Sequence, residues 1–227
     1  MTDVYIVQKL ENNKDIIVNV PGSKSITNRA LMLAALSDGE CNLDGVLFSD
    51  DSRAFLDCLE KLGFQLFIDE NEKRVKVVGT SGKIPNRKAT IDVRSAGTAA
   101  RFLTVMLAVT GGEYTLNSSE QMKKRPMGEI IDLIRSAGVK ISCLEEEGHF
   151  PFIISSNGLD KKEVSINTDT SSQYASALLM AAVMTGLKIK LTGKRVNGAY
   201  IKITLNMLKQ FGIKYVQAEE NKYNIEK

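Results

Sequence analysis

A repeat with a period of about 74 residues constrains the fold more than any other feature of this sequence. It occurs three times, and each copy contains a nearly all-apolar helix, a short alternating strand and a second helix with apolar residues at positions i, i+3, i+4 and i+7. The apolar stripes of the second helices are Phe55, Cys58, Leu59 and Leu62 in the first copy, Ile130, Leu133, Ile134 and Ala137 in the second, and Thr204, Met207, Leu208 and Phe211 in the third. A glycine directly follows each stripe, at Gly63, Gly138 and Gly212, which predicts a left-handed helix cap.

Strand patterns complete each copy of the repeat. One strand precedes each first helix, at Ile16–Val20, Ala89–Val93 and Glu163–Asn167, and a pair of strands follows each glycine cap. The predicted order is strand-helix-strand-helix-strand-strand, in units of about 14–86, 87–160 and 161–227 that form a single domain. The first helices are almost wholly apolar over Ala30–Leu36, Arg101–Val109 and Ala175–Met184. We therefore expect an α/β fold with pseudo-threefold symmetry, in which three parallel helices are buried and the sheets lie outside.

Composition and charge exclude several classes of function. With 227 residues, of which 43% are hydrophobic, the chain is long enough to bury a large core. The net charge of +3 is small and spread along the chain, so neither a nucleic-acid partner nor a membrane partner is expected. No segment has the pattern of a signal peptide or a transmembrane helix. Cys41, Cys58 and Cys143 form no Cys-x-x-Cys pair and His149 is the only histidine, which favours a cytoplasmic protein without a metal site.

Polar segments open the predicted helices and indicate a site for anions. The segment Pro21–Ser25 leads into the first helix of copy one, where Ser23 or Ser25 is expected to cap the first turn. If the three first helices are parallel, their N-termini and those of the second helices meet at one end. Each helix N-terminus stabilises a nearby anion by roughly 0.3–1 kcal/mol. Further positive charge at this end comes from Arg125 and from Lys24 and Arg29, which are expected to be mobile cations.

These segments resemble the enolpyruvyl transferase family, and the resemblance covers essentially the whole chain. Pro21–Ser25 together with Asn28–Ala30 is similar to the first signature of the family, and Ala96–Ala99 with Arg101 is similar to the second. Two further motifs of the family fall at Arg125–Met127 and Ser171–Gln173. Members have two pseudo-threefold domains, each one half of an inside-out barrel, and this chain resembles the N-terminal one. The resemblance therefore implies a second, C-terminal domain, to which the leading strand in residues 1–13 belongs.

Within the family, the resemblance is to enzymes that transfer the enolpyruvyl group of phosphoenolpyruvate to the 5-hydroxyl of shikimate 3-phosphate and release phosphate. It implies a cytoplasmic transferase of aromatic amino-acid biosynthesis with two small anionic substrates and no cofactor. Lys24 is the implied catalytic residue. The implied contacts to shikimate 3-phosphate are Lys24, Ser25, Arg29, Ser171, Ser172, Gln173, Asn197 and Tyr200, and those to phosphoenolpyruvate are Lys24, Gly97, Thr98, Arg125 and Gln173.

The chain departs from the family pattern at three places, and two other functions stay open. Asn197 stands where the family usually has serine, Arg94-Ser95 replaces Gly-Asn, and Phe102 replaces a frequent proline. One alternative is transfer of enolpyruvate to UDP-N-acetylglucosamine, by enzymes that have Lys-Asn in place of Lys24-Ser25 and use a catalytic cysteine. The other is non-catalytic binding of a phosphorylated ligand. The isolated chain is expected to fold without turning over.

Overall fold

A computed structural model describes residues 20–219 and 221–226, together with the single residues Ile6 and Ile17. This part of the chain contains seven α-helices: α1 Lys24–Leu36, α2 Asp50–Lys61, α3 Gly97–Thr110, α4 Glu120–Lys123, α5 Gly128–Ser136, α6 Ser172–Ala181 and α7 Ala199–Gln210. Its eleven strands are β1 Asp38–Asp44, β2 Leu66–Asp69, β3 Arg74–Thr80, β4 Lys88–Asp92, β5 Gly112–Asn117, β6 Lys140–Cys143, β7 Phe152–Ser156, β8 Glu163–Asn167, β9 Lys188–Thr192, β10 Tyr215–Glu219 and β11 Lys222–Ile225. None of these helices has the length and apolar character needed to cross a lipid bilayer.

The strands form three sheets, and each sheet follows one copy of the repeat. In the second sheet the order is β4-β5-β7-β6, with β4 parallel to β5 and the other pairs antiparallel. The third sheet has the same plan, with the order β8-β9-β11-β10 and one parallel pair at the start. The parallel register also repeats, because Lys88 lies opposite Glu113 and Glu163 lies opposite Lys188. These sheets confirm the predicted strands in the second and third copies.

The first sheet has three antiparallel strands in the described part of the chain, in the order β1-β3-β2. The predicted strand Ile16–Val20, which corresponds in sequence to β4 and β8, lies mostly outside the described residues. Ile17 and Val20 are described, belong to no strand and are exposed. The leading strand predicted in residues 1–13 also lies outside the described residues, apart from Ile6.

The three first helices, α1, α3 and α6, form the centre of the core. Each contacts the other two, and α3 is buried continuously from Gly97 to Val109. Their N-terminal turns lie side by side, because Gln173 Nε2 in α6 is 3.4 Å from Thr98 Oγ1 in α3, and Arg29 Nη2 in α1 is 2.9 Å from Ser176 Oγ in α6. The helices are therefore parallel, with the sheets packed outside them, which confirms the predicted fold class.

The second helices pack through the predicted stripes and end at the predicted glycines. All stripe residues are buried except Leu133 and Phe211, which are half-buried. The caps have left-handed φ angles of +88° at Gly63, +94° at Gly138 and +74° at Gly212.

Among the first helices, α6 is shorter than the predicted Ala175–Met184. It ends at Ala181, and the chain continues as a 3₁₀ turn over Ala182–Met184. There the N–H of Thr185 bonds the carbonyl of Ala182, three residues back, which tightens the last turn.

Candidate functional site

The N-terminal turns of the helices lie together at one end of the core, which we call the rim. It comprises the first turns of α1, α2, α3, α6 and α7 and residues 124–127, which lead into α5. Side-chain contacts join neighbouring turns. Lys24 Nζ of α1 is 3.1 Å from Asp51 Oδ2 of α2. The hydrogen bond from Arg29 to Ser176 joins α1 to α6, and the contact between Gln173 and Thr98 joins α6 to α3. The predicted convergence of helix N-termini is therefore confirmed.

Four helices at the rim begin without a side-chain cap. Their N-cap residues are Ser23 for α1, Ala96 for α3, Met127 for α5 and Gly198 for α7. The prediction that Ser23 or Ser25 caps α1 is wrong, because the Ser23 side chain makes no cap hydrogen bond and Ser25 lies inside the helix. By contrast, the side chains of Ser49 and Ser171 accept first-turn N–H groups in α2 and α6. The four uncapped ends leave backbone N–H groups for an anionic ligand.

Arg29 is a buried cation that bonds only neutral groups. Its Nε donates to Thr204 Oγ1 at 2.8 Å, its Nη1 to the Ser25 carbonyl at 2.7 Å and its Nη2 to Ser176 Oγ at 2.9 Å. The guanidinium carbon lies 5.2 Å from the centre of the Phe102 ring and 5.7 Å from that of the Tyr200 ring. Arg29 is 1% exposed, so the expectation of a mobile cation is wrong. It is held in place because four helices supply its contacts.

Burial makes the charge of Arg29 unfavourable for folding. Desolvation lowers the pKa of Arg29 to about 10, well below the usual value for arginine, although Tyr200 partly opposes the change. A base with a lowered pKa in the folded protein destabilises the fold at every pH below that pKa. The penalty is relieved only as the pH rises above about 10, where the folded chain has lost the proton and the unfolded chain still binds it. Arg29 therefore stays charged at neutral pH, at a cost in stability.

Lys24 is an exposed cation of the rim. It is the first residue of α1, and its ammonium group forms the ion pair with Asp51. The Lys24 side chain is 46% exposed and that of Asp51 is 22% exposed. An exposed pair of this kind is worth only about 0–1 kcal/mol, so an arriving anion can compete for Lys24.

Gly97 lies beside the guanidinium group of Arg125 at the rim. A side chain at Gly97 would collide with Arg125 Nη1 and would lie 2.9 Å from Arg101 Nη1. Arg125 is exposed and forms no ion pair within the described residues. Because Gly97 has no Cβ, the backbone at the start of α3 stays accessible beside this guanidinium group.

Arg101 is a second buried arginine beside this contact. Its Nη1 donates to the Gly97 carbonyl at 2.9 Å, and its guanidinium carbon lies 5.4 Å from the centre of the Tyr174 ring. Tyr174 in turn donates its hydroxyl to the Pro126 carbonyl at 2.8 Å, next to Arg125. Burial lowers the pKa of Arg101, Tyr174 opposes this, and the positive charge of Arg125 lowers it further. Two cations thus lie close together without a carboxylate partner in the described part of the chain.

The remaining predicted residues lie on the same rim. Ser171, Ser172 and Gln173 are half-buried at the start of α6, while Asn197 and Tyr200 are exposed at the start of α7. Several buried polar atoms near these turns have no hydrogen-bond partner among the described residues: Asn28 Oδ1 and Nδ2, Arg101 Nε and Gln173 Oε1. Each such atom costs about 1–3 kcal/mol unless water or a ligand meets it.

Two departures from the family pattern have structural consequences. Arg94 adopts a left-handed φ of +52°, which a glycine adopts more easily, and Asp92 Oδ1 accepts its N–H at 2.8 Å. Its side chain is ion-paired with Asp57, so this cation is already neutralised. Phe102, in place of a proline, supplies one of the two rings beside Arg29.

Sequence reasoning missed the partners of the two buried arginines, although two signals were present. The fifth residue of each first helix is polar and buried, although most of each helix is apolar. These residues are Asn28, Arg101 and Ser176. Thr204 occupies a stripe position that Phe55 and Ile130 fill in the other copies. A hydroxyl at a core position indicates a buried polar contact, but not its partner.

The fold is that of the enolpyruvyl transferases. Two solved structures have a similar fold. EPSP synthase from Acinetobacter baumannii has a TM-score of 0.78 and 24% identity, and the match covers 92% of this chain and 46% of that one. The enolpyruvyl transferase NikO from Streptomyces tendae has a TM-score of 0.60 and 12% identity, and the match covers 90% of this chain and 46% of that one.

The sequence matches narrow this class to one family. The model of the family EPSP synthase (3-phosphoshikimate 1-carboxyvinyltransferase) matches residues 9–226, and the chain belongs to that family. The 3-phosphoshikimate 1-carboxyvinyltransferase of Trichormus variabilis is 36% identical over 98% of this chain and 53% of its own length. That of Neisseria meningitidis serogroup B is 42% identical over 89% of this chain and 47% of its own. The chain thus spans about half the length of these relatives.

Proposed function

We propose that this chain binds shikimate 3-phosphate and phosphoenolpyruvate as the N-terminal half of a carboxyvinyl transferase in aromatic amino-acid biosynthesis. The observation that carries the proposal is the rim, where Arg29 and Arg125 lack a carboxylate partner among the described residues and four helix N-termini are uncapped. A site with this much uncompensated positive charge suits two substrates that each carry a phosphate and a carboxylate. The proposed compartment is the cytoplasm, as the cysteine spacing predicts.

Each substrate is assigned to one side of the rim. Shikimate 3-phosphate would have its phosphate at Ser171, Ser172 and Asn197 and its carboxylate at Ser25 and Arg29, with Lys24, Gln173 and Tyr200 completing the contacts. Phosphoenolpyruvate would lie at Gly97, Thr98 and Arg125, between Lys24 and Gln173. Two contacts support this arrangement. The guanidinium carbon of Arg29 lies 5.7 Å from the centre of the Tyr200 ring, and Gln173 Nε2 lies 3.4 Å from Thr98 Oγ1.

The proposed reaction joins the substrates through an addition and an elimination. The 5-hydroxyl oxygen gives up its proton to a base and attacks C2 of phosphoenolpyruvate, while C3 takes up a proton from an acid. The resulting tetrahedral intermediate then loses phosphate from C2 as a proton leaves C3, which restores the double bond. Lys24 is placed to stabilise the negative charge that develops during these steps. The acids and bases that move the protons are assigned to a second domain, whose closure would also exclude water.

Binding and turnover are tested separately. Calorimetry of the 227-residue chain should show weak binding of shikimate 3-phosphate and weaker binding of phosphoenolpyruvate. Phosphate release should stay at background for the chain alone and rise when a separately produced C-terminal half of a relative is added. Steady turnover by the chain alone would contradict the two-domain proposal, and absence of shikimate 3-phosphate binding would contradict the substrate assignment.

Calorimetry also discriminates between the alternative functions. Binding of UDP-N-acetylglucosamine in place of shikimate 3-phosphate would favour the sister activity. That activity lacks support at the rim, because Cys41 lies on β1, Cys58 is buried in α2 and Cys143 lies on β6. Binding of shikimate 3-phosphate without any gain of activity in the mixture would favour a non-catalytic binding module.

A further inference from the structure

The contacts of Arg29 leave two N–H donors of its guanidinium group unused. The group carries five N–H donors in a fixed plane, and three of them bond Thr204, Ser25 and Ser176. Within the described residues, the two remaining donors have no partner, and there is one on each terminal nitrogen. A carboxylate can accept two parallel N–H groups from such a pair.

The residues that hold Arg29 are neutral, and their neutrality matters. Thr204 Oγ1 and Ser176 Oγ lie 2.9 Å apart, and Thr204 Oγ1 also lies 2.9 Å from the Tyr200 carbonyl. Arg29, Ser176 and Thr204 are each at most 1% exposed, and Phe102 is fully buried. Two hydroxyl groups thus occupy the place where a protein carboxylate would bond and neutralise the arginine. The orientation of Arg29 is set while its charge stays uncompensated.

We propose that Ser176, Thr204 and Phe102 are positioning residues that hold Arg29 with its two remaining donors directed to the carboxylate of the substrate. This inference rests on the proposed function, because it assigns the carboxylate of shikimate 3-phosphate to Arg29. The Tyr200 ring is 49% exposed and lies in the first turn of α7, so its side chain moves aside to admit the carboxylate. The ring of Phe102 is packed inside and stays beside the guanidinium group.

The test compares two ligands that differ only in the carboxylate. Shikimate 3-phosphate and its carboxamide analogue are titrated calorimetrically into the wild-type chain and into Thr204→Val, which keeps the shape of threonine and removes the hydroxyl. The preference for the carboxylate over the carboxamide should fall about tenfold in Thr204→Val, since one donor of a charged group loses its acceptor. Ser176→Ala and Phe102→Leu should lower the same preference, and Thr204→Ser should restore it.

Thr104→Val is the matched control. Thr104 is fully buried in α3 and its hydroxyl donates to the Ala100 carbonyl four residues back, as that of Thr204 does to Tyr200, but it does not contact Arg29. This variant should keep the wild-type preference. A Thr204→Val chain that retains the preference, or that loses affinity equally for both ligands, would overturn the positioning role.

A measurement without ligand separates this inference from the proposed function. The Nε–H proton of Arg29, assigned by its absence in Arg29→Lys, should exchange slowly with solvent in the wild type and in Thr204→Ser, and rapidly in Thr204→Val. Rapid exchange in the wild type would overturn the geometry on which the inference stands. Slow exchange in a chain that does not bind shikimate 3-phosphate would overturn the proposed function, and with it the carboxylate role of Arg29.

Discussion

Arg29 and Arg101 lie in corresponding turns of α1 and α3, and they are held very differently. Both are nearly buried, at 1% and 6% exposure, and neither has a carboxylate partner in the described ranges. Every nitrogen of Arg29 donates a hydrogen bond, whereas the Nε of Arg101 has no partner among the described residues. Arg101 also lies close enough to Arg125 for the second charge to lower its pKa.

This difference suggests that the two sides of the rim are prepared to different degrees. The Arg29 side is rigid before a ligand arrives, because four helices fix the guanidinium group. The side of Arg101 and Arg125 concentrates two like charges and leaves a buried donor unpaired, which costs about 1–3 kcal/mol. An anion bound there would relieve both the repulsion and the desolvation. We therefore expect shikimate 3-phosphate to bind to a preformed site and phosphoenolpyruvate to order its site on binding.

Replacing Arg29 should have the largest effect. Arg29→Met removes the charge and keeps much of the volume, so shikimate 3-phosphate binding should weaken by about 3 kcal/mol through loss of a charged pair. The melting temperature should stay level or rise, because an uncompensated buried charge disappears. Calorimetry and thermal melting measure the two quantities. Arg53→Met, which breaks an exposed pair with Glu70, is the control and should leave affinity unchanged.

Replacing Arg101 should affect mainly the binding of phosphoenolpyruvate. Arg101→Met is expected to weaken phosphoenolpyruvate binding by about 1–2 kcal/mol, because the Gly97 carbonyl and the Tyr174 ring lose their common partner. Shikimate 3-phosphate binding should change little, and the melting temperature should rise. Equal losses for both substrates would show that the two sides are not distinct.

A smaller effect should separate positioning from charge on the Arg101 side. Tyr174→Phe removes the hydroxyl that holds the Pro126 carbonyl, so phosphoenolpyruvate affinity should fall by about 1 kcal/mol while shikimate 3-phosphate affinity is retained. Tyr114→Phe is a matched control, since that buried hydroxyl donates to the Gly111 carbonyl at 2.9 Å. Both variants should lose similar stability in denaturant titrations. Loss of phosphoenolpyruvate affinity in Tyr114→Phe as well would contradict the local role of Tyr174.

The smallest effect is expected from the ion pair between Lys24 and Asp51. Asp51→Asn releases Lys24 from its ion pair, so phosphoenolpyruvate binding should strengthen by about 0.5 kcal/mol in low salt and by less in high salt. Asp50→Asn removes a neighbouring charge from the same turn of α2 without touching that pair. The two variants are compared in calorimetric titrations at two salt concentrations. Weaker binding in Asp51→Asn would mean that the ion pair places Lys24 for the ligand.

The sequence predicted the framework well because its determinants are local. The glycine caps and the apolar stripes follow from helix geometry, and the strands from alternation and turn residues. The contacts of Arg29 were beyond such reasoning, because Ser176 and Thr204 are 147 and 175 residues away along the chain. An arginine beside an N-terminal turn suggests an exposed cation, and only tertiary packing decides that it is buried. The missing Ser23 cap is a similar case, because Ser23 has the extended backbone of an N-cap residue and only its side chain fails to form the hydrogen bond.

The uncapped ends of α1, α3, α5 and α7 have a consequence for stability engineering. Adding an N-cap side chain commonly stabilises a helix by about 1 kcal/mol. Gly198, with φ −61° and ψ 156°, already has the extended backbone of an N-cap residue, and a Cβ there would lie 3.1 Å from the Arg195 carbonyl oxygen. An aspartate there would occupy the N–H groups of α7 and bring negative charge beside Tyr200 and Arg29. A thermostable variant selected by melting temperature alone would therefore tend to acquire these caps and lose its affinity for anions.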